Sequence, residues 1–149
     1  MGIVIDSSVF IRAERLRQPV DLSRWRHHGP PFISAITVSE LLVGVHRANS
    51  VSRRETRRQL VDATIALMKV LDFNESVART HAVLYAETQN RGTPVGSHDL
   101  LIAATATHHG MPVLTCNGRD FRHVPGLIVL DYDSVPSSDP PPSPTTTPS

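Results

Sequence analysis

The sequence predicts an α/β fold in three layers, with a central parallel sheet flanked by helices. Short apolar segments alternate along the chain with longer segments whose apolar residues recur at helical spacing. Such alternation is typical of strands that alternate with helices. Parallel strands need a crossover connection, which is usually a helix, so the alternation favours a parallel sheet covered on both faces.

The first half of the chain predicts strands and helices whose boundaries are set by capping and turn residues. Serine is a strong N-cap residue, and Gly-Pro-Pro is a strong helix stop. The predicted elements are, in order, a buried strand over 2–5, a helix from a cap at Ser7 or Ser8 to about 15, a short helix over 21–28 closed by 29–31, a strand over 32–34, a helix from Thr37 to about 48, and a helix over 51–67.

The second half continues the same alternation and then changes in composition. The predicted elements are a strand over 69–73, a helix over 75–90 capped by Asn74, a turn over 91–94, a helix over 98–109 capped by Ser97, a strand over 111–115, a turn and short helix over 117–121, and a strand over 127–130. Residues 135–149 are rich in Pro, Ser and Thr and have no periodicity. We expect one folded domain over 1–134 and a disordered tail over 135–149.

Composition narrows the classes of protein that fit. The chain has 149 residues, of which 40% are hydrophobic and 19% charged, as in one globular domain. The single cysteine, Cys116, cannot form an internal disulfide bond. The net charge of +1 does not by itself indicate a nucleic-acid partner. No apolar run has the length of a signal peptide or of a membrane span, so we expect a cytoplasmic protein without a membrane partner.

Four acidic residues are predicted to meet at one edge of the sheet. Asp6 follows the first strand, Glu40 lies one helical turn after the second, and Asp120 comes soon after the strand over 111–115. Asp99 stands in the first turn of a helix that we expect to begin at the same edge. In open parallel sheets, ligands bind outside the carboxyl ends of the strands. Carboxylates that share a site repel each other, and a Mg²⁺ ion, which prefers oxygen ligands, removes that repulsion.

Each acid also has a purely structural interpretation. Thr37 to Glu40 forms a capping-box pattern, so Glu40 could cap its own helix. Asp99 near a helix N-terminus is favoured by the helix dipole. Asp6 could cap the first helix, and Asp120 could stabilise a turn. The expected convergence of all four on one edge favours a site for phosphodiester hydrolysis with one or two metal ions.

The sequence resembles the PIN domain family, and within it the VapC-type toxins of bacterial toxin–antitoxin modules. Four segments match the four motifs of that family in order and spacing, over about residues 1–132. They are 3–9 with the sequence IVIDSSV, 33–41 with ISAITVSEL, 98–106 with HDLLIAATA, and 114–121 with LTCNGRDF. Gly44 and the segment 124–127 fit the family pattern too.

The resemblance implies a function and a set of site residues. It implies a metal-dependent endoribonuclease that cuts RNA and inhibits translation, with Mg²⁺, or Mn²⁺ as a substitute, held by the four acids. It implies supporting roles for three polar residues near them, namely Ser7, Thr115 and Asn117. Many relatives carry a second acid close to the fourth one, and the nearest polar side chain in this chain is that of Asn117. The resemblance further implies a VapB-type antitoxin as partner and a homodimer.

A basic cluster and three alternative functions complete the prediction. The cluster lies on the helix over 51–67 and could contact RNA or the antitoxin, or could simply be a solvated helix face; it comprises Arg53, Arg54, Arg57 and Arg58. A phosphatase that uses the first-strand aspartate would need a second acid at position 8, which is Ser8. An RNA-processing nuclease of the same fold outside a toxin–antitoxin pair and a catalytically silent binding module are the remaining alternatives.

Overall fold

A five-stranded parallel sheet forms the centre of the protein. The computed structural model describes residues 1–134, and the predicted tail over 135–149 lies outside the described residues. The strand order is β3-β2-β1-β4-β5, and every neighbouring pair is parallel. The strands are β1 (Ile3–Ile5), β2 (Pro31–Ser34), β3 (Lys69–Leu71), β4 (Val113–Thr115) and β5 (Val129–Asp131). The predicted α/β class and the parallel sheet are confirmed.

Six α-helices connect the described strands, together with a 3₁₀ helix over Ser23–His28. The helices are α1 (Ser7–Leu16), α2 (Ala35–His46), α3 (Val51–Leu67), α4 (Glu75–Asn90), α5 (Ser97–His108) and α6 (Gly118–Phe121). The predicted bounds of α3 and α4 are confirmed. Their caps explain this agreement, since Ser50 and Asn74 each accept a hydrogen bond from the backbone three residues later.

Three helices begin elsewhere than the sequence predicts. Asp6, not Ser7 or Ser8, caps α1, and Ser34, not Thr37, caps α2. The cap position of α5 is Gly96, which makes no side-chain hydrogen bond. Asp6 and Ser34 both have extended backbone angles, so each ends its strand and starts its helix without an intervening loop. As a result, α1 and α2 rise directly from the carboxyl edge of the sheet.

Two apolar clusters pack on the opposite faces of the sheet. Along β1, Val4 belongs to one cluster while Ile3 and Ile5 belong to the other, and all three are at most 2% exposed. Successive side chains of a strand point to opposite faces, so a central strand that is covered on both sides is apolar throughout. Among the described residues, no helix is both long and apolar enough to cross a membrane.

Candidate metal centre

The strand order places the four predicted acids around one point of the carboxyl edge. β1 lies between β2 and β4. Asp6 follows β1, Glu40 lies on α2 after β2, and Asp120 lies on α6 after β4. Asp99 is the third residue of α5, the helix that precedes β4. Helices that connect parallel strands run opposite to them, so α5 begins at the edge where β4 ends.

Asp6 is buried and its carboxylate is held by hydroxyl groups. Its side chain is 3% exposed, and its backbone N–H donates to the carbonyl of Leu114 at 2.9 Å. The Oδ2 atom accepts hydrogen bonds from the hydroxyls of Ser8, at 2.6 Å, and Thr115, at 2.9 Å. The Ser8 backbone N–H also points to Oδ2, at 3.4 Å. Asp6 therefore caps α1, as one interpretation of the sequence expected, and the same carboxylate belongs to the acidic cluster.

The two consecutive serines contact different acids. The predicted supporting residue Ser7 does not bond to Asp6; its hydroxyl lies against Glu40, where it lowers the pKa of that carboxyl group. The hydroxyl that binds Asp6 is that of Ser8, which the sequence analysis did not select. The sequence could have distinguished the two serines only if it had shown which residue caps α1. With Asp6 as the cap, Ser8 is the serine whose hydroxyl reaches the Asp6 carboxylate.

Glu40 is half-buried and is not the cap of its helix. The Oγ atom of Ser34 accepts from the Thr37 N–H at 3.1 Å, so the capping box that the sequence suggested over residues 37–40 is wrong. The Oε1 atom of Glu40 is buried and has no hydrogen-bond partner in the described part of the chain. Its Oε2 atom lies 3.8 Å from Nδ1 of His98, which is largely exposed.

Burial and mutual repulsion raise the pKa values of two of the acids. For Glu40, desolvation is the largest cause, followed by the nearby charge of Asp6. For Asp99, desolvation and then the charges of Asp6 and Asp120 raise the pKa from 3.8 to about 6. The nearby imidazole of His98 opposes both shifts. Asp6 thus lies within electrostatic range of both Glu40 and Asp99, and Asp99 lies within range of Asp120 as well.

In the fourth motif, the Thr115 side chain and the Asn117 backbone amide form a chain of hydrogen bonds to Asp6. Thr115 is fully buried, and its hydroxyl accepts from the N–H of Asn117 at 2.9 Å while it donates to Asp6. The Asn117 side chain makes no capping hydrogen bond to α6 and is exposed. Asp120 is also exposed, in the first turn of α6. Thr115 thus contacts Asp6 directly through its hydroxyl, whereas Asn117 contributes its backbone amide to Thr115.

The donor set fits a hard divalent cation. All four acids offer carboxylate oxygens, one of which, Oε1 of Glu40, is buried without a partner. Burial and then like charges raise the pKa values of Glu40 and Asp99, and a bound cation would relieve the repulsion. Within residues 1–134, no three His, Cys, Asp or Glu side chains already stand close enough to hold one ion together. Mg²⁺ is usually held by one or two carboxylates and keeps several waters, so such a cage is not required.

The predicted basic cluster separates into two pairs on different sides of α3. Arg57 donates to the Glu14 carboxylate at 2.8 Å and to the Gly44 carbonyl at 3.2 Å, which ties α3 to α1 and α2. Arg53 donates to the Asn49 side chain at 3.1 Å. Both arginines line a cavity of about 730 Å³ between α1 and α3, whose walls include none of the four acids. Arg57 therefore has a structural role.

The second pair, Arg54 and Arg58, stays exposed on α3. Exposed arginines one turn apart suit contacts with phosphate groups. Of the four arginines, these two remain the better candidates for contact with RNA or a protein partner.

Replacing Asp99 with Asn is expected to raise the melting temperature of the metal-free protein at pH 7.5. A carboxyl group whose pKa is raised on folding resists ionisation in the folded state, so its penalty appears as the pH rises from 3.8 and is complete above about 6. Asn carries no charge and avoids this penalty. Thermal melts in EDTA at pH 7.5 and pH 4 should show a gain of a few degrees at the higher pH that shrinks at the lower one.

The matched control is Glu75→Gln, the same loss of charge in the first turn of α4. Glu75 is exposed, and its carboxylate bonds only to Arg79 at 3.1 Å. This control measures the loss of a favourable helix-dipole interaction and a surface ion pair, and it should lower the melting temperature slightly. If Asp99→Asn also melts lower than the parent protein at pH 7.5, burial and the neighbouring acids do not penalise the ionised Asp99 carboxylate in the folded state as the raised pKa implies.

Comparison with known proteins places this chain among close relatives. The sequence profile of the PIN domain matches residues 3–127. The chain is 37% identical over 134 residues to the Ribonuclease VapC1 of Rickettsia felis, covering 90% of this chain and 98% of that protein. It is 34% identical over 121 residues to the tRNA(fMet)-specific endonuclease VapC of Salmonella typhimurium, covering 81% and 86%.

A solved structure supports the same assignment. The crystal structure of DNA-bound VapBC from Salmonella typhimurium superposes with a TM-score of 0.78 at 29% sequence identity, covering 89% of this chain and 98% of that one.

Proposed function

The chain belongs to the PIN domain family and is a VapC-type member of it, and on that premise we propose that it is a magnesium-dependent endoribonuclease. It would act as the toxin of a toxin–antitoxin pair, hydrolysing RNA phosphodiester bonds and inhibiting translation. The observation that carries the proposal is the gathering of Asp6, Glu40, Asp99 and Asp120 at one edge of the sheet. Relatives named as ribonucleases support it.

The four carboxylates would hold the divalent ion. Asp6 and Asp99 are the proposed principal ligands, with Glu40 beside them and Asp120 completing the set. When bound, Mg²⁺, or Mn²⁺ in its place, supplies Lewis acidity that draws charge from the scissile phosphate and makes water a stronger nucleophile.

The residues of the chain contribute orientation and proton handling. The hydroxyl groups on Oδ2 of Asp6 leave its Oδ1 atom as the oxygen available to the site. The pKa of Asp99 is raised to about 6 before any ion binds, so a neighbouring positive charge would favour its ionised form. Attack of water on phosphorus forms one P–O bond and breaks the bond to O3′. The water proton would pass to a carboxylate oxygen and the departing O3′ would take up a proton from solvent water, so the products would carry a 5′-phosphate and a 3′-hydroxyl.

Partners follow from the same family membership. Several solved neighbours are VapBC complexes, such as those of Salmonella typhimurium and Haemophilus influenzae. We propose a VapB-type antitoxin as the partner of this chain and a homodimer as its own assembly.

The deciding experiment combines brief induction with the mapping of RNA ends. Expression without an antitoxin should stop growth and protein synthesis within minutes and produce new 5′-phosphate ends at defined sites. Co-expression of its VapB-type antitoxin should restore growth. Defined cleavage without growth arrest would instead favour an RNA-processing nuclease outside a toxin–antitoxin pair. Growth arrest without new RNA ends would exclude the proposed activity.

A further inference from the structure

We propose that Ser8 is a positioning residue that fixes the Asp6 carboxylate so that Oδ1 alone faces the divalent ion. The inference rests on the proposed function, which supplies the ion and the reaction. Ser8 is proposed to act only through Asp6 and not to contact the ion or the RNA itself. Its hydroxyl lies 2.6 Å from Oδ2 of Asp6, the shortest hydrogen bond among the described side chains.

A count of protons supports this role. A serine or threonine hydroxyl has one proton to donate and two lone pairs that accept. The Thr115 hydroxyl donates its proton to Oδ2 of Asp6, and the Ser8 hydroxyl does the same. The two hydroxyl oxygens are 3.1 Å apart, but no proton is left to lie between them. Both protons are therefore used on one carboxylate oxygen, which is saturated as a result.

Backbone amides fix the two hydroxyls in turn. The Cys116 N–H donates to the Ser8 hydroxyl at 3.0 Å, and the Asn117 N–H donates to the Thr115 hydroxyl at 2.9 Å. Each amide orients its hydroxyl, because an oxygen that accepts from one side donates to the other. Chains of hydrogen bonds of this kind also strengthen each member. The rotamer of Asp6 is thus set by two consecutive amides of the segment after β4.

This arrangement couples two acids of the site. The segment that fixes Ser8 is continuous with α6, which carries Asp120. Asp6 and Ser8 belong to the β1–α1 junction, and their partners lie more than a hundred residues further along the chain. The orientation of Asp6 therefore depends, through Ser8, on the position of the loop that carries Asp120. A serine that only stabilised α1 would have no such connection.

The test is direct titration with Mn²⁺ alone, comparing the parent protein with Ser8→Ala and Ser8→Thr. Outer partners of metal ligands usually affect affinity by 10–100-fold, so Ser8→Ala should bind Mn²⁺ about tenfold more weakly. Ser8→Thr retains the hydroxyl and should bind within about twofold of the parent protein. In RNA cleavage, Ser8→Ala should need about tenfold more Mg²⁺ for half-maximal rate, with an unchanged KM for RNA.

Ser50→Ala is the matched control for a structural effect. Ser50 caps α3 by accepting from the Arg53 N–H at 3.1 Å, and it lies outside the acidic site. Its loss should lower the melting temperature without changing the Kd for Mn²⁺. An unchanged Mn²⁺ affinity in Ser8→Ala would overturn the inference, and so would a Ser8→Thr variant as weak as Ser8→Ala.

The results for the parent protein separate this inference from the proposed function. Cleavage of RNA by the parent protein together with unchanged Mn²⁺ binding in Ser8→Ala refutes only the role of Ser8. Mn²⁺ binding without RNA cleavage by the parent protein refutes the proposed function, and the comparison of Kd values still decides the role of Ser8. A parent protein that does not bind Mn²⁺ refutes both.

Discussion

Replacing Asp6 with Asn is expected to lower the rate of RNA cleavage at least about a thousandfold, because a metal ion contributes several kcal/mol and each 1.36 kcal/mol is a factor of ten. The substitution removes the negative charge while keeping the shape of the side chain. Asn is also a good N-cap residue, so α1 should remain capped. The hydroxyls of Ser8 and Thr115 can still donate to the amide oxygen. The fold should therefore persist, and circular dichroism and thermal melting would check it.

Asp21→Asn is the control for this substitution. The Asp21 carboxylate accepts from the Ser23 N–H at 3.0 Å, so it too orders a local turn, but it is exposed and outside the acidic cluster. The control should cleave RNA at the parental rate. Because a contaminating ribonuclease would survive the change, both variants should be purified in parallel and assayed on one defined RNA. Undiminished cleavage by a folded Asp6→Asn protein would exclude Asp6 from the reaction.

Removal of divalent ions is expected to stop RNA cleavage altogether and to leave the protein folded. Burial and then mutual repulsion raise the pKa values of Glu40 and Asp99. Without a cation that repulsion persists, and the carboxylates also repel the phosphate of the substrate. The apolar clusters on both faces of the sheet do not depend on an ion. Cleavage should cease in EDTA and return when Mg²⁺ or Mn²⁺ is added in excess, while the circular dichroism spectrum stays the same.

Melting curves give this second prediction an independent measurement. A ligand that binds only the folded state of a protein raises the melting temperature of that protein. Excess Mg²⁺ should therefore raise the melting temperature of the parent protein and have a smaller effect on Asp6→Asn. RNA cleavage that continues in EDTA would argue against metal dependence, provided that the Asp6→Asn preparation is inactive under the same conditions.

The elements that the sequence predicted best are those with strong local signals. Helices α3 and α4 begin after Ser50 and Asn74, and their bounds agree with the prediction because an N-cap interaction spans only a few residues. The strands near the edges of the sheet were predicted less well. β5 begins at Val129, not at 127, because its pairing with Val113 on β4 sets where it starts. Such pairing joins segments far apart in the chain.

The candidate site shows the same division. The sequence alone pointed to the four acids, because each lies in a segment that matches a family motif, and the four segments occur in the family's order. It selected Ser7 as the residue beside Asp6, whereas the hydroxyl that binds Asp6 is that of Ser8, because the choice depends on the residue at which β1 ends and α1 begins. It left open a capping role for Glu40, whereas Ser34 caps that helix. It also grouped Arg57 with arginines that do not share its contacts to Glu14 and Gly44.

By itself, the sequence determined the order of strands and helices, the family, and the acids on which the proposed chemistry depends. The order of elements follows from residue types and from periodicity over a few turns, and the family follows from the resemblance of four segments to its motifs. Only the tertiary structure decided which polar groups hold Asp6, because Thr115 and Cys116 lie more than a hundred residues away from it in the chain and meet it through the pairing of β1 with β4. Local propensity acts over a few residues, whereas the order of strands in the sheet determines contacts between distant ones.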